Sequence, residues 1–206
     1  MTVTEAVREN ITGVILAGGR GSRMGGDDKG LVTLNGKPMV WHVMTRLRPQ
    51  VGALLISANR NQERYAAFGV PVVPDLLPDF QGPLAGIASA LQHAQTAYVV
   101  TAPCDSPLIG PDLVTRLARA LVVESAEVAV AHDGSREHPV FLLLERALAP
   151  SLTAFLSAGE RKIDRWFARH RVARADFSDC PDAFLNVNDA AERRALETRL
   201  REGAQW

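Results

Sequence analysis

Between Thr12 and Gly36 the chain reads TGVILAGGRGSRMGGDDKGLVTLNG. The apolar, β-type run Gly13-Val14-Ile15-Leu16-Ala17 empties into glycines at 18, 19, 21, 25, 26 and 30, interleaved with Arg20, Arg23 and Lys29. Glycine lets main-chain N–H groups approach an anion and curl round it, and Arg and Lys add fixed positive charge. A strand that delivers such a loop brings backbone against phosphates, and the loop is read as holding a nucleoside triphosphate.

Two common phosphate-loop patterns fail, one at a single position and the other at two. The dinucleotide pattern G-x-G-x-x-G starts at Gly19-Arg20-Gly21 but meets Met24 where its third glycine belongs, which also weighs against an NAD-dependent oxidoreductase. The pattern G-x-x-x-x-G-K-[ST], laid on Gly21 and Gly26, meets Asp27 and Asp28 in place of its lysine and hydroxyl residue.

A second chemical position is Asp105. It follows the apolar run Tyr98–Ala102 and is bracketed by Pro103 and Pro107, so its carboxylate is expected to be held stiffly at the rim of a sheet. That suits Mg²⁺, which is commonly bound through one or two carboxylates with phosphate oxygens and water. The residues alone leave open a cap for the helix starting near Pro111, although Asp105 lies far upstream for one. Asn59 and Asp75 also follow strands, where such residues ordinarily make turns. Gly82 reads as a turn before a helix. Cys104, beside Asp105, is expected as a small buried filler because nothing near it in sequence supplies a base. Cys104 and Cys180 match neither a disulfide framework nor a zinc spacing, so both are expected as free thiols.

Positioning these groups falls to strands and helices that alternate along the chain. After Leu31–Leu34, read as a short strand, and an Asn35-Gly36 turn, Pro38 opens a helix with Met39, Val40, Val43, Met44 and Leu47 on one side. Ala53–Ala58 reads as a strand, Gln62–Phe68 as a short helix and Val70–Val73 as a strand. Pro83 starts a helix with Leu84, Ile87, Ala88 and Leu91 on one face, and Pro111 another with Leu113, Val114, Leu117 and Leu121. This alternation predicts a parallel sheet covered on both faces, with ligands outside the carboxyl ends of its strands. Beyond Glu127 the pattern changes. Glu127–Ala131 and His138–Leu144 read as strands joined by Asp133-Gly134, a hairpin or antiparallel edge pair. Helices with stripes at Leu148, Leu152, Phe155, Leu156 and at Ile163, Trp166, Phe167 follow, and Asp189-Ala190-Ala191-Glu192 opens a last helix capped by Asn188 or Asp189.

With 206 residues, 47% hydrophobic and 22% charged, the chain is expected to be one soluble domain with a sizeable core. Its formal net charge of +0 excludes a global field that would attract nucleic acid or an anionic membrane, so any basic patch is local. Met1–Asn10 lacks the apolar core of a signal peptide and no later run approaches about 20 apolar residues, so a cytoplasmic location is expected.

The stretch Leu16-Ala17-Gly18-Gly19-x-x-x-Arg23-Met24-Gly25-Gly26-x-Asp28-Lys29 resembles the signature loop of nucleotidyltransferases that activate a phosphorylated acceptor with a nucleoside triphosphate. Within that superfamily it is most similar to the molybdenum cofactor guanylyltransferases. The resemblance runs from about Ile11 to Glu192. It implies a three-layer α/β/α Rossmann-like nucleotidyltransferase fold, mostly parallel with an antiparallel edge. Residues 1–206 would be a single domain: a tail at 1–10, a nucleotide-binding half at 11–125 and an acceptor-binding half at 126–206. The implied reaction transfers GMP from GTP to the terminal phosphate of molybdenum-molybdopterin and releases pyrophosphate.

Arg23, Lys29 and Asp105 then carry the catalytic roles, with Asp105 as the Mg²⁺ ligand. Leu16, Ala17, Gly18, Gly19, Lys29, Asn59, Asp75, Gly82 and Asp105 bind GTP. Ala17-Gly18-Gly19, where cytidylyl-transferring relatives tend to show Ala-Ala-Gly, leaves more room for a purine and favours guanine. The segment His132–Pro139 resembles the acceptor side of the family, and Asn186 and Asn188 match an Asn-x-Asn element on the cofactor side. The residues alone leave two readings of Arg161, in the loop Gly159-Glu160-Arg161-Lys162: a cation for an anionic acceptor, or part of a solvated loop. Implied partners are molybdenum-insertion proteins and the molybdoenzymes that receive the cofactor, each in transient contact. The competing readings are a cytidylyl or sugar-1-phosphate nucleotidyltransferase, and a non-catalytic nucleotide-binding regulator.

Overall fold

In the computed structural model residues 8–18, 28–75 and 82–201 are described. In chain order the strands are β1 (Ile11–Leu16), β2 (Thr33–Leu34), β3 (Lys37–Pro38), β4 (Ala53–Ser57), β5 (Val72–Val73), β6 (Tyr98–Pro103), β7 (Val128–His132), β8 (Glu137–Glu145) and β9 (Val172–Asp176). The helices are α1 (Met39–Leu47), α2 (Gln62–Ala66), α3 (Pro83–His93), α4 (Leu113–Val123), α5 (Ala149–Ser157), α6 (Ile163–Phe167) and α7 (Ala190–Arg201). Seven strands form one sheet in the order β5-β4-β1-β6-β8-β7-β9, and β2 and β3 form a separate hairpin. All pairings in the sheet are parallel except the two made by β8.

Period-two alternation within continuously apolar strands explains how the sheet is buried on both sides. Ile11 and Ile15 of β1, Val100 and Ala102 of β6, Ala129 and Ala131 of β7, and Phe141 and Leu143 of β8 share one core with α1 and α4. Their neighbours Val14, Val99, Val128, Val130, Leu142 and Leu144 enter the opposite core with α3, α5 and α6. A third, smaller cluster of Leu34, Met39, Val187 and Leu196 fastens the C-terminal segment to the β2–β3 hairpin and the start of α1.

The mostly parallel α/β architecture matches the expectation, and several local features refine it. The segment expected as a strand at Leu31–Leu34 divides into a 3-10 turn at Lys29–Leu31 and the two-residue strand β2. Asn35 and Gly36, with φ of 49° and 80°, make the two-residue turn that joins β2 to β3. The expected β7–β8 hairpin forms, but its register breaks between Val130 and Ala131. Pro139 lies in the skipped part of β8, and a proline cannot donate to the ladder of an internal strand. β9 was not foreseen: it pairs in parallel with β7 and forms the sheet's edge.

Candidate active site

The carboxyl ends of β1, β4, β5 and β6 lie side by side and are stitched together beyond the regular strands. Ala17 N–H donates to the Ser57 carbonyl at 2.8 Å, Ala58 N–H to Val73 at 3.0 Å, and Cys104 N–H to Leu16 at 3.0 Å. Leu16, Ala17 and Gly18 therefore emerge between the strand ends carrying Asn59, Asp75 and Asp105. This is the crevice where the sheet order reverses direction around β1, the usual ligand position in such sheets.

Two polar groups form there. In the first, Lys29 Nζ donates to Asp105 Oδ2 at 3.0 Å and to Asn188 Oδ1 at 2.7 Å. Asp105 is nearly buried at 9% exposure. The Asn186-Val187-Asn188 segment reaches this corner because Val187 is buried in the third cluster, while the flanking amides meet Ser106 and Lys29. Val187 N–H donates to the Asp105 carbonyl at 2.8 Å and Ser106 Oγ donates to Asn186 Oδ1 at 2.5 Å. Cys104 is buried and free, and burial, reinforced by the Asp105 charge, pushes its thiol well above the ordinary value. Both features suit the small buried filler expected of it.

In the second group Asn59 Nδ2 donates to Asp75 Oδ2 at 2.7 Å, while Asp75 N–H donates to Asn59 Oδ1 at 2.8 Å. Ser57 Oγ adds a longer bond of 3.4 Å to Asp75 Oδ1. Burial pushes the Asp75 carboxyl above its ordinary value, with the Asn59 and Ser57 bonds acting against it. Gly18 faces this pair: a Cβ there would stand 3.5 Å from Asn59 Nδ2 and 3.8 Å from Asp75 Oδ2. Gly82, at φ 82°, precedes α3, and Ser89 of α3 donates to the Pro74 carbonyl at 2.5 Å, which sets this helix alongside Asp75.

Of the residues expected from the sequence, the structure thus brings Leu16, Ala17, Gly18, Lys29, Asn59, Asp75 and Asp105 to one end of the sheet. Gly19 and Arg23 lie outside the described residues. The three residues expected on the acceptor side separate. Asn186 and Asn188 join the Lys29–Asp105 corner, whereas Arg161 donates to the Leu156 and Glu160 carbonyls at 2.7 and 2.6 Å and closes the end of α5. Sequence reasoning gave no separate role to Ser57, Ser106 or Arg60. Arg60 Nε and Nη2, two donors on one edge of the guanidinium, are buried and meet no acceptor among the described residues. The signal for it was its place directly after Asn59 at a strand end.

The fold is that of α/β nucleotidyltransferases. The chain is similar to the crystal structure of molybdopterin-guanine dinucleotide biosynthesis protein A from Archaeoglobus fulgidus, with a TM-score of 0.75 and 20% identity over 93% of this chain and 99% of that one. It also resembles the 4-diphosphocytidyl-2C-methyl-D-erythritol synthase from Anaerococcus prevotii, with a TM-score of 0.74 and 9% identity over 95% and 99% of the two chains. A family model for the MobA-like NTP transferase domain matches residues 13–175. Proteins named molybdenum cofactor guanylyltransferase from Shewanella sp. strain MR-4 and Cupriavidus necator are 54% and 53% identical, each covering 93% of this chain and 98% of its own length. The chain belongs to the molybdenum cofactor guanylyltransferase family of MobA-like NTP transferases.

Proposed function

We propose that the chain transfers GMP from GTP to the terminal phosphate of molybdenum-molybdopterin. The observation that carries this reading is the Lys29–Asp105–Asn188 group, which assembles a cation, a carboxylate and an amide just beyond the carboxyl end of β6. An oxygen of the acceptor phosphate attacks the α-phosphorus of GTP in line. The bond to the bridging oxygen breaks, and pyrophosphate leaves with the electron pair. The acceptor phosphate is ionised at neutral pH, so neither a nucleophile nor a general base is required of the protein. Its work is to position two anions and offset their charge, as in other phosphoryl and nucleotidyl transfers. Lys29 supplies charge to the triphosphate, as does Arg23 in this reading. The buried Nε and Nη2 of Arg60, without an acceptor among the described residues, support a site short of an anion, since buried unmatched donors are costly.

The donor set fits Mg²⁺. Asp105 already accommodates a cation, the Lys29 ammonium. Binding through one carboxylate, with phosphate oxygens and water, is the ordinary coordination of this ion beside a nucleotide. Asp105 would hold it, and when bound it would offset charge on the triphosphate. The Asn59–Asp75 pair supports guanine, whose N–H donors a carboxylate can accept. Among the described residues no cation pairs with Asp75. In this reading residues 11–125 serve the nucleotide and 126–206 the acceptor within one domain, with transient contacts to molybdenum-insertion proteins and recipient molybdoenzymes.

The test measures heat protection by each of the four nucleoside triphosphates, with and without Mg²⁺, together with pyrophosphate release in the presence of molybdenum-molybdopterin. GTP with Mg²⁺ is expected to protect best, and Asp105→Ala to fold normally yet transfer on the order of a hundredfold more slowly or worse. Equal activity with CTP would refute the choice of base. Normal pyrophosphate release by Asp105→Ala would refute the site.

A further inference from the structure

Asp28 stands beside Lys29 in the loop signature and takes no part in the reaction proposed above. Its carboxylate is bonded to the β4–α2 region: the Tyr65 hydroxyl donates to Oδ1, and Asn61 Nδ2 donates to Oδ2 at 3.0 Å. The two partners differ in setting: Tyr65 lies inside the molecule and Asn61 at its surface. Tyr65 is completely buried in the core shared with α1 and α4. Asn61 holds the left-handed backbone conformation, φ 51°, immediately before α2. Burial, with the charges of its surroundings, pushes the Tyr65 phenol well above its ordinary value, so it remains an O–H donor.

The backbone that carries Lys29 is built on this anchor. Leu31 N–H donates to the Asp28 carbonyl at 2.9 Å, and Val32 N–H to the Lys29 carbonyl at 3.2 Å, forming the 3-10 turn Lys29–Leu31. Gly30 in that turn packs against the Tyr65 hydroxyl and Cys104, where a Cβ would come within 3.2 Å of Sγ. A lysine has a flexible four-carbon stem, so the aim of its ammonium depends on where the main chain releases it. We propose that Asp28, held by Tyr65 and Asn61, is a positioning residue that fixes this turn and thereby aims Lys29 at Asp105 and the triphosphate. The proposal rests on the role of Lys29 in the reaction above.

The experiment compares wild type, Tyr65→Phe, Asn61→Gly, Lys29→Ala and the double variant Lys29→Ala/Tyr65→Phe. Tyr65→Phe keeps the buried ring, and Asn61→Gly keeps the left-handed backbone open. Pyrophosphate release gives kcat and the KM for GTP. In parallel, acylation of Lys29 by an amine reagent without nucleotide is followed by peptide mass spectrometry. Both anchor variants are expected to lower kcat, about tenfold for Tyr65→Phe, with a smaller change in KM, as misplaced catalytic groups do. They are also expected to acylate Lys29 several-fold faster. The double variant is expected to be no slower than Lys29→Ala, because residues that act through one another do not add. Unchanged kcat in both anchor variants, losses that multiply in the double variant, or an unchanged acylation rate would each overturn the proposal. Should Lys29→Ala transfer at the full rate, the reading of the reaction fails instead, and the acylation rates alone then decide whether Asp28 fixes Lys29.

Discussion

Asp75 and Asp133 each follow a strand of the same sheet, and their surroundings pull the two carboxyls in opposite directions. Asp133 lies in the β7–β8 turn, where Ser135 Oγ and N–H and Arg136 N–H donate to Oδ1 at 2.7 to 2.8 Å, and His138 Nε2 lies 2.7 Å from Oδ2. Those bonds, the Ser135 hydroxyl first, hold its carboxyl well below the usual range. His138 is itself buried and stacked on Phe184 at 4.4 Å, so this carboxylate is spent on shaping a turn and packing it. Among the described residues Asp75 is short of donors. It has an amide, a distant hydroxyl and the desolvation of its site. A carboxylate with unused lone pairs beside Gly18 is placed to accept from a ligand, whereas a saturated one is placed to stabilise the fold.

Removing the carboxylate at Asp75 tests this contrast hardest. Asp75→Ala is expected to weaken GTP binding by about tenfold to a hundredfold, the range for losing a good paired contact to a base. Its preference for GTP over ITP, which lacks the exocyclic amine, should disappear. Calorimetry with both nucleotides checks this, and a retained preference would remove Asp75 from base recognition. A smaller effect is expected at Gly18→Ala, about tenfold on the KM for GTP with no loss of melting temperature, because the added methyl meets Asn59 and Asp75 only at ordinary contact distance yet occupies ligand space.

The smallest effects concern stability against pH and have opposite signs. The raised folded pKa of Asp75 makes its ionised form a burden that appears as pH rises through that value. Asp75→Asn should therefore melt slightly higher than wild type near neutrality, with the gap closing on acidification. Asp133 is depressed, so its contribution is full above the unfolded value, about 3.9, and fades as pH falls from there toward its folded value. Asp133→Asn should lose less melting temperature than wild type between about pH 5 and about pH 2.5. Identical pH profiles for the two variants would break the comparison.

From the sequence, neither aspartate could be told from the other, because Asp after a strand is an ordinary turn former. The strands that were legible were those with unmixed apolar runs. Ala53–Ser57, Tyr98–Pro103 and Val128–His132 fall within a residue of expectation at each end. β9, Val-Ala-Arg-Ala-Asp, alternates correctly, with Ala173 and Ala175 buried between more open neighbours. Its small apolar residues and two charges, however, carry little strand signal. Lys29 and Asp105 were named from local composition, but their bond spans 76 residues and the one from Lys29 to Asn188 spans 159.

The alternation of strands and helices was readable from the chain alone, and its glycines and cations pointed to an anion-binding loop, because local periodicity, turn chemistry and fixed charge are written residue by residue. Packing in three dimensions settled which carboxylate meets the lysine, that the Asn186–Asn188 segment closes the same corner, and that, among the described residues, Asp75 receives fewer donors than Asp133. Hydrogen-bond supply and desolvation belong to the packed neighbourhood of a group, and that neighbourhood is assembled from segments far apart in the chain.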